Sequence, residues 1–306
     1  MLQHNLMDNS VNRHTTSVEV YVDESYSADW TYIGYLLIPV DRKNNALSCL
    51  QSIRADAEYE KEIHFQECAN HSESPHGKKT KVAKLWLNSF AFDTSKLFHF
   101  HLHGINRKRL CHEAFGYANQ EENIYNRFFR SGLIYSLKSC FDLPVQVTTV
   151  YHDDSSMKYH KYFNWHAILK TQEVEPGIEF LTDRIEFIVS DHLEPDHPHP
   201  DEATFIQMVD TMLGAMRQCI ENSSRKKGKH ELAEVVLPLM ERITNPKLRN
   251  NPNSSYNHQR RVSVSFFPKK RLSLTELQNE FSRLTSRYYC NERLAFAERH
   301  QPTLGF

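Results

Sequence analysis

Hydrophobic and polar positions alternate most regularly near the start of the chain. In SVEVYVDES (17–25), Val18, Val20 and Val22 recur at every second position before an acidic cluster, the pattern of a strand running into a turn. TYIGYLLIPV (31–40) follows after the short polar segment SYSADW, so the two are expected to pair as an antiparallel hairpin. KLFHFHLHGI (96–105) predicts a strand with His99, His101 and His103 on one face, expected to be the wet side of the sheet. VQVTTVYHDD (145–154) and RIEFIVSDH (184–192) predict strands that end in acid, and RVSVSFFP (261–268) a last strand.

Helical spacing separates these runs. Leu47, Leu50 and Ile53 predict a helix from Asp41 to about Glu62, leading into EIHFQEC. A short helix is expected at VAKLWLNSF (82–90), then helix in two pieces over 107–141 with Phe128, Ile134 and Leu137 buried, and another through YHKYFNWHAILK (159–170). TFIQMVDTMLGAMRQCI (204–220) is amphipathic, with Ile206, Val209, Leu213 and Met216 on its apolar side. Ser273 and Glu276 form a capping box for a terminal helix. The Pro-rich LEPDHPHPDE and the Asn- and Pro-rich 245–255 read as irregular loops. Together these elements make an α/β chain whose mixed sheet is flanked by helices, without internal repeats.

With 40% apolar and 25% charged residues, the 306-residue chain has material for a large core and the surface of a soluble globular protein. No apolar run reaches the roughly 20 residues of a membrane span, and the polar start resembles no signal peptide, so a cytoplasmic protein without a membrane partner is expected. Six scattered cysteines offer no zinc-clip spacing and read as reduced thiols. A net charge of −1 gives no overall field toward nucleic acid. Any such partner has to be held locally, by the basic runs HGKKTK, RKKGKH and FPKKR, which carry Lys78, Lys79, Lys226, Lys227, Lys269 and Lys270. Solvated faces are the competing reading of such runs.

Acid stands at the ends of three strands: Asp23 and Glu24, Asp153 and Asp154, and Asp191. Ligands gather at the C-terminal ends of parallel strands. Asp210 lies inside the apolar helix beside Val209, Met212 and Leu213, where an unpaired carboxylate is costly to bury. A shared divalent cation explains this distribution, since carboxylate oxygens suit Mg²⁺ or Mn²⁺ and adjacent acids repel one another without one. Strand alternation puts Asp153 and Asp154 on opposite sides; Asp153, with the parity of Val147 and Tyr151, is favoured, and Asp154 stays open. Asp191 reads as a loop charge.

Taken in order, YVDES, EIHF, VYHDD, FIVS and FIQMVDTMLGAM resemble the family called domain of unknown function 3800, over about Val18 to Ile220. That resemblance implies a ribonuclease H-like fold. It places the family's first-strand aspartate on Asp23, the acid of its Glu-x-His or Glu-x-Lys segment on Glu62, and the aspartate of its Gln-x-x-Asp motif on Asp210, with Gln207 in place. The Pro- and His-rich loop before Asp210 is longer than that pattern leads one to expect. The implied organisation is a frayed terminus at 1–16, a ribonuclease H-like catalytic domain at 17–243, and a C-terminal strand and helix at 244–306 packed on the same domain.

The expected activity is phosphodiester hydrolysis of RNA or DNA with two divalent ions. Asp23, Glu62, Asp153 and Asp210 would hold Mg²⁺ or Mn²⁺, Asp154 being the alternative ligand, and His64 would assist proton transfer or position phosphate. Structural readings compete: Asp23 can cap its turn and Glu62 can be a surface charge. Two other functional classes stand beside the nuclease, a catalytically silent nucleic-acid- or partner-binding module and a zinc hydrolase built on the histidines of HFHLH and DHPHPDE. GxGxxG, Walker and serine-nucleophile signatures are absent.

Overall fold

Alternating apolar side chains make β1 (Thr16–Tyr26) and β2 (Trp30–Pro39) a hairpin that pairs Val18 with Pro39 and Asp23 with Gly34. In this computed structural model, which describes residues 15–92, 96–110, 112–154, 176–244 and 261–267, the hairpin lies at the middle of a seven-stranded mixed sheet. On one side β2 pairs antiparallel with β3 (His99–Asn106), which pairs in parallel with the last strand. On the other, β1 pairs in parallel with β4 (Val145–Asp153). Both β5 (Ile178–Phe180) and β6 (Ile185–Ile188) then pair with β4, one along each half of it. The last strand is β7 (Val262–Phe267).

Helices cover both faces. One face, carrying Tyr21, Leu36, Ile38, Phe100 and Leu102, is buried under α1 (Lys43–Asp56), α2 (Lys78–Phe92), α4 (Pro200–Glu221) and α5 (Lys227–Thr244). The opposite face, carrying Val18, Val20, Val22, Ile33 and Val150, is buried under α3 (Gln120–Cys140), chiefly its Phe128, Phe129 and Leu133. Helix α4 begins on Pro200 with Asp201 and Glu202 in its first turn, where a fixed φ and negative charge suit exposed N–H groups, and ends on Asn222 at φ 46°. Nearly every residue between Ala203 and Ile220 is buried, because α4 lies between the sheet and the other helices.

Several expectations change. The helix predicted to about Glu62 stops at Asp56, because Glu58 turns to φ 50° and Tyr59 N–H returns to the Arg54 carbonyl; Glu62 and His64 follow in irregular backbone. Residues 107–141 form one long helix preceded by short 3-10 turns, in place of two pieces. The face of β3 carrying His99, His101 and His103 is not wet. All three are buried, since β3 is flanked by β2 and β7 and α3 brings Phe128 and Tyr135 over His103 and His101. Helix α5 and strand β5 are additions to the expected elements. The helix expected at 159–170, the loop at 245–255, the capping box at Ser273 and Glu276, and Lys269 and Lys270 lie outside the described residues. Among the described residues no helix is long and apolar enough to cross a membrane.

Candidate functional site

Five segments far apart in sequence converge at the C-terminal ends of β1 and β4. Asp23, Glu24, Glu62, His64, Asp153, Ser190, Gln207 and Asp210 line one cavity of about 370 Å³. All five residues expected to be catalytic are therefore together. Asp154 is exposed beyond the strand end and does not line the cavity, whereas Asp153 does. Its backbone N–H is bonded to the Ile188 carbonyl at 2.8 Å.

Asp153 faces the cavity because of a bulge in β4. The β1–β4 register slips by one residue after Val18, leaving Thr148 as the extra residue of a bulge. Val145 and Val147 therefore join the α3-side core, whereas Tyr151 joins the opposite one. Asp153 does share the parity of Tyr151, but not the face of Val147.

The loop that carries Glu62 and His64 is held by α4. Gln207, fully buried, accepts Ile63 N–H at 2.9 Å and an Arg54 guanidinium N–H on its carbonyl oxygen, while its amide donates to Ser190 O at 2.6 Å and contacts His192 Nδ1 at 3.1 Å. Arg54 also donates to Lys61 O at 2.7 Å and lies over the Trp86 ring. One turn along α4, Asp210 Oδ2 accepts Phe65 N–H at 2.6 Å and lies 3.3 Å from His64 Nδ1. Ser190 Oγ donates to Glu62 Oε1 at 2.7 Å. The three-residue spacing of Gln207 and Asp210 thus puts one side chain on each end of the same loop.

Electrostatically the cavity is short of positive charge. Asp23 is held well above the usual carboxylate range, first by burial and then by the charges of Asp210, Asp153 and Glu24. Asp153 is pushed up to about 7 by burial and then by Glu24 and Asp210. Burial also raises Asp210, against the lowering influence of His64 and the Phe65 N–H. These are hard oxygen donors with mutual repulsion a cation would relieve, so the residues fit Mg²⁺ or Mn²⁺ by chemistry. As the side chains stand, no group of three or more His, Cys, Asp or Glu among the described residues is close enough to hold an ion.

The histidines of β3 serve another purpose. His101 bonds Ser263 Oγ at 2.7 Å and Ser265 Oγ at 3.0 Å, and His103 bonds Ser265 Oγ at 2.7 Å, tying β3 to β7. Burial lowers both, His103 to about 3, so they are neutral at pH 7. The Pro-rich loop is likewise tied down: His197 Nε2 contacts Val189 O at 2.8 Å, and the His199 ring packs edge-on to Tyr151. Asp191 accepts Leu193 N–H, as a turn cap does.

Among the predicted lysines, Lys79 pairs with Glu67 and Lys78 with Glu58 at 3.5 Å. Lys226 and Lys227 are exposed at the start of α5. Lys229, one turn on and not singled out from its run, lies 4.9 Å over the Phe65 ring, in reach of Asp210's charge. Glu24, named among the strand-end acids but not in the expected ligand set, also lines the cavity, as does Ser190, whose position carries no local signal because it is recruited by neighbours remote in the chain. Comparison with protein-family models finds no match to this chain, and comparison with curated proteins finds none either.

Proposed function

We propose that the chain is a divalent-metal-dependent nuclease with a ribonuclease H-like sheet, in keeping with its resemblance to the domain of unknown function 3800 family. The observation that carries the reading is the convergence of Asp23, Glu62, His64, Asp153 and Asp210 on one polar cavity, with three of the carboxylates raised by burial and one another. The antiparallel β1–β2–β3 meander continued by a parallel β4 supports the fold assignment. Asp23, Asp153 and Asp210, with Glu62 at the rim, would hold Mg²⁺ or Mn²⁺. Two such ions supply the positive charge that hydrolysis of a phosphodiester needs at its attacking and leaving oxygens.

The chain's own groups divide the remaining work. Phe65 N–H and His64 orient the Asp210 carboxylate, and Ser190 orients that of Glu62. His64, 44% exposed at the cavity, can hold a proton on its ring or a hydrogen bond to a phosphate oxygen. Lys229, over the Phe65 ring, presents an ammonium group near it, and the exposed Lys226 and Lys227 at the start of the same helix would extend that positive charge for the backbone of RNA or DNA.

The test is cleavage of labelled single- and double-stranded RNA and DNA, with and without Mn²⁺. Wild type is expected to cut at least one substrate only with metal, and Asp23→Ala and Asp210→Ala to lose at least 100-fold of that rate, about 2.7 kcal/mol in the barrier. Absence of cutting on every substrate, or normal cutting by both variants, overturns the nuclease. Binding of nucleic acid that ignores both metal and Asp23→Ala would assign the silent binding module instead. Stoichiometric zinc in the purified protein would favour the hydrolase.

A further inference from the structure

The α3 side of the sheet holds a polar cluster directly behind the carboxylates. Because β1 and β4 are parallel neighbours with Val22 beside His152, the following residues, Asp23 and Asp153, also come together, and Glu24 follows on the α3 side of β1. His152 is fully buried there among Phe129, Tyr125 and Phe187. Its Nδ1 lies 2.7 Å from the Asp153 carbonyl, which can only accept, so Nδ1 carries a proton. Its Nε2 is 2.5 Å from the Tyr125 hydroxyl, and both Nε2 and that hydroxyl are 3.4 Å from Glu24 Oε2. The phenol carries one O–H within reach of both Nε2 and the carboxylate, so Tyr125 links the buried imidazole to Glu24 at the edge of the candidate site.

We propose that Glu24 is a further member of the cation-holding set, working with Asp153, and that Tyr125 and His152 are positioning residues that hold its carboxylate from the opposite face of the sheet. This rests on the metal-dependent reading of the cavity. Glu24 lines that cavity together with Asp153, although its strand position directs it toward α3. Glu24 and Asp153 stand near the ends of two parallel neighbouring strands, so both border the same cavity, and the charge of Glu24 is felt at Asp153.

Outer partners that orient a ligating carboxylate contribute roughly 10- to 100-fold to metal affinity when measured by removal. Isothermal titration of the full-length chain with Mn²⁺ tests the assignment. Wild type is expected to bind two ions; Glu24→Gln is expected to lose one or to weaken it at least 10-fold, and Tyr125→Phe, which removes a single hydroxyl, to weaken the same ion about 10-fold at unchanged stoichiometry. Circular dichroism melting of each variant separates loss of the ion from loss of the fold, and if Glu24→Gln does not fold, Tyr125→Phe and Glu24→Asp decide. Wild-type binding with Glu24→Gln and Tyr125→Phe both unaltered overturns the role of Glu24 and leaves the nuclease reading standing. No Mn²⁺ binding by wild type overturns both.

Discussion

Asp153 is where charge and stability oppose each other. Its carboxyl, pushed up to about 7 by burial, Glu24 and Asp210, binds its proton more tightly in the folded chain than in the unfolded one, where the ordinary value is near 4. The stability it contributes is complete below the unfolded value and is lost as pH rises through about 7. In metal-free protein, Asp153→Asn is expected to stabilise the fold at pH 8 relative to wild type by on the order of 1–2 kcal/mol, seen as a higher melting temperature, with little effect at pH 5. Mn²⁺ should raise the wild-type melting temperature at pH 8 and leave that of Asp153→Asn largely unmoved. Equal melting of the two metal-free proteins at both pH values would remove the claim that Asp153 is held protonated by its neighbours. Gln207 shows the reverse arrangement, a buried polar residue whose amide oxygen and nitrogen are both occupied, so that its cost of burial is offset.

At the scale of the element, α4 positions the site because it can approach the Phe65 loop closely. A Cβ built on Gly214 would collide with the Phe65 ring, which packs into the space the glycine leaves. Phe65 N–H is the donor to Asp210, one turn earlier on the same helix, and His64 is its chain neighbour. Gly214→Ala is expected to push the ring outward and cost about 1–3 kcal/mol by overpacking. It should also weaken Mn²⁺ binding without touching a carboxylate. If Gly214→Ala melts and binds Mn²⁺ as wild type does, the loop is not held by this contact. β4 makes a related point: one bulge residue, Thr148, decides which face Asp153 presents.

For the whole molecule, β7 belongs to the same sheet as the strands that precede residue 244. All six residues of β7 are buried, Phe267 packs on Phe128, and His101 and His103 are hydrogen-bonded to Ser263 and Ser265. A fragment ending at residue 243 would expose the edge of β3 with two buried histidines left without their serines, an aggregation-prone arrangement. Such a fragment is expected to be insoluble or to melt well below the full chain. Cooperative melting of the fragment at the full-length temperature would show that 244–306 contributes nothing to the core.

Short-range pattern was enough for the β1–β2 hairpin, the strand character of β3, β4 and β7, the apolar face of α4 and the identity of Asp23 and Asp210 as unusual acids, since period two and period 3.6 depend only on near neighbours. Gln207 was visible as a three-residue echo of Asp210, but not as a clamp. The end of α1 at Asp56, the burial of His99, His101 and His103, the bulge that turns Asp153 to the cavity, and the meeting of Glu24 with His152 and Tyr125 were decided by tertiary structure alone. Each depends on which remote segment covers a face or slips a register, and those choices are made by packing between residues tens to hundreds of positions apart, where no local period carries the information.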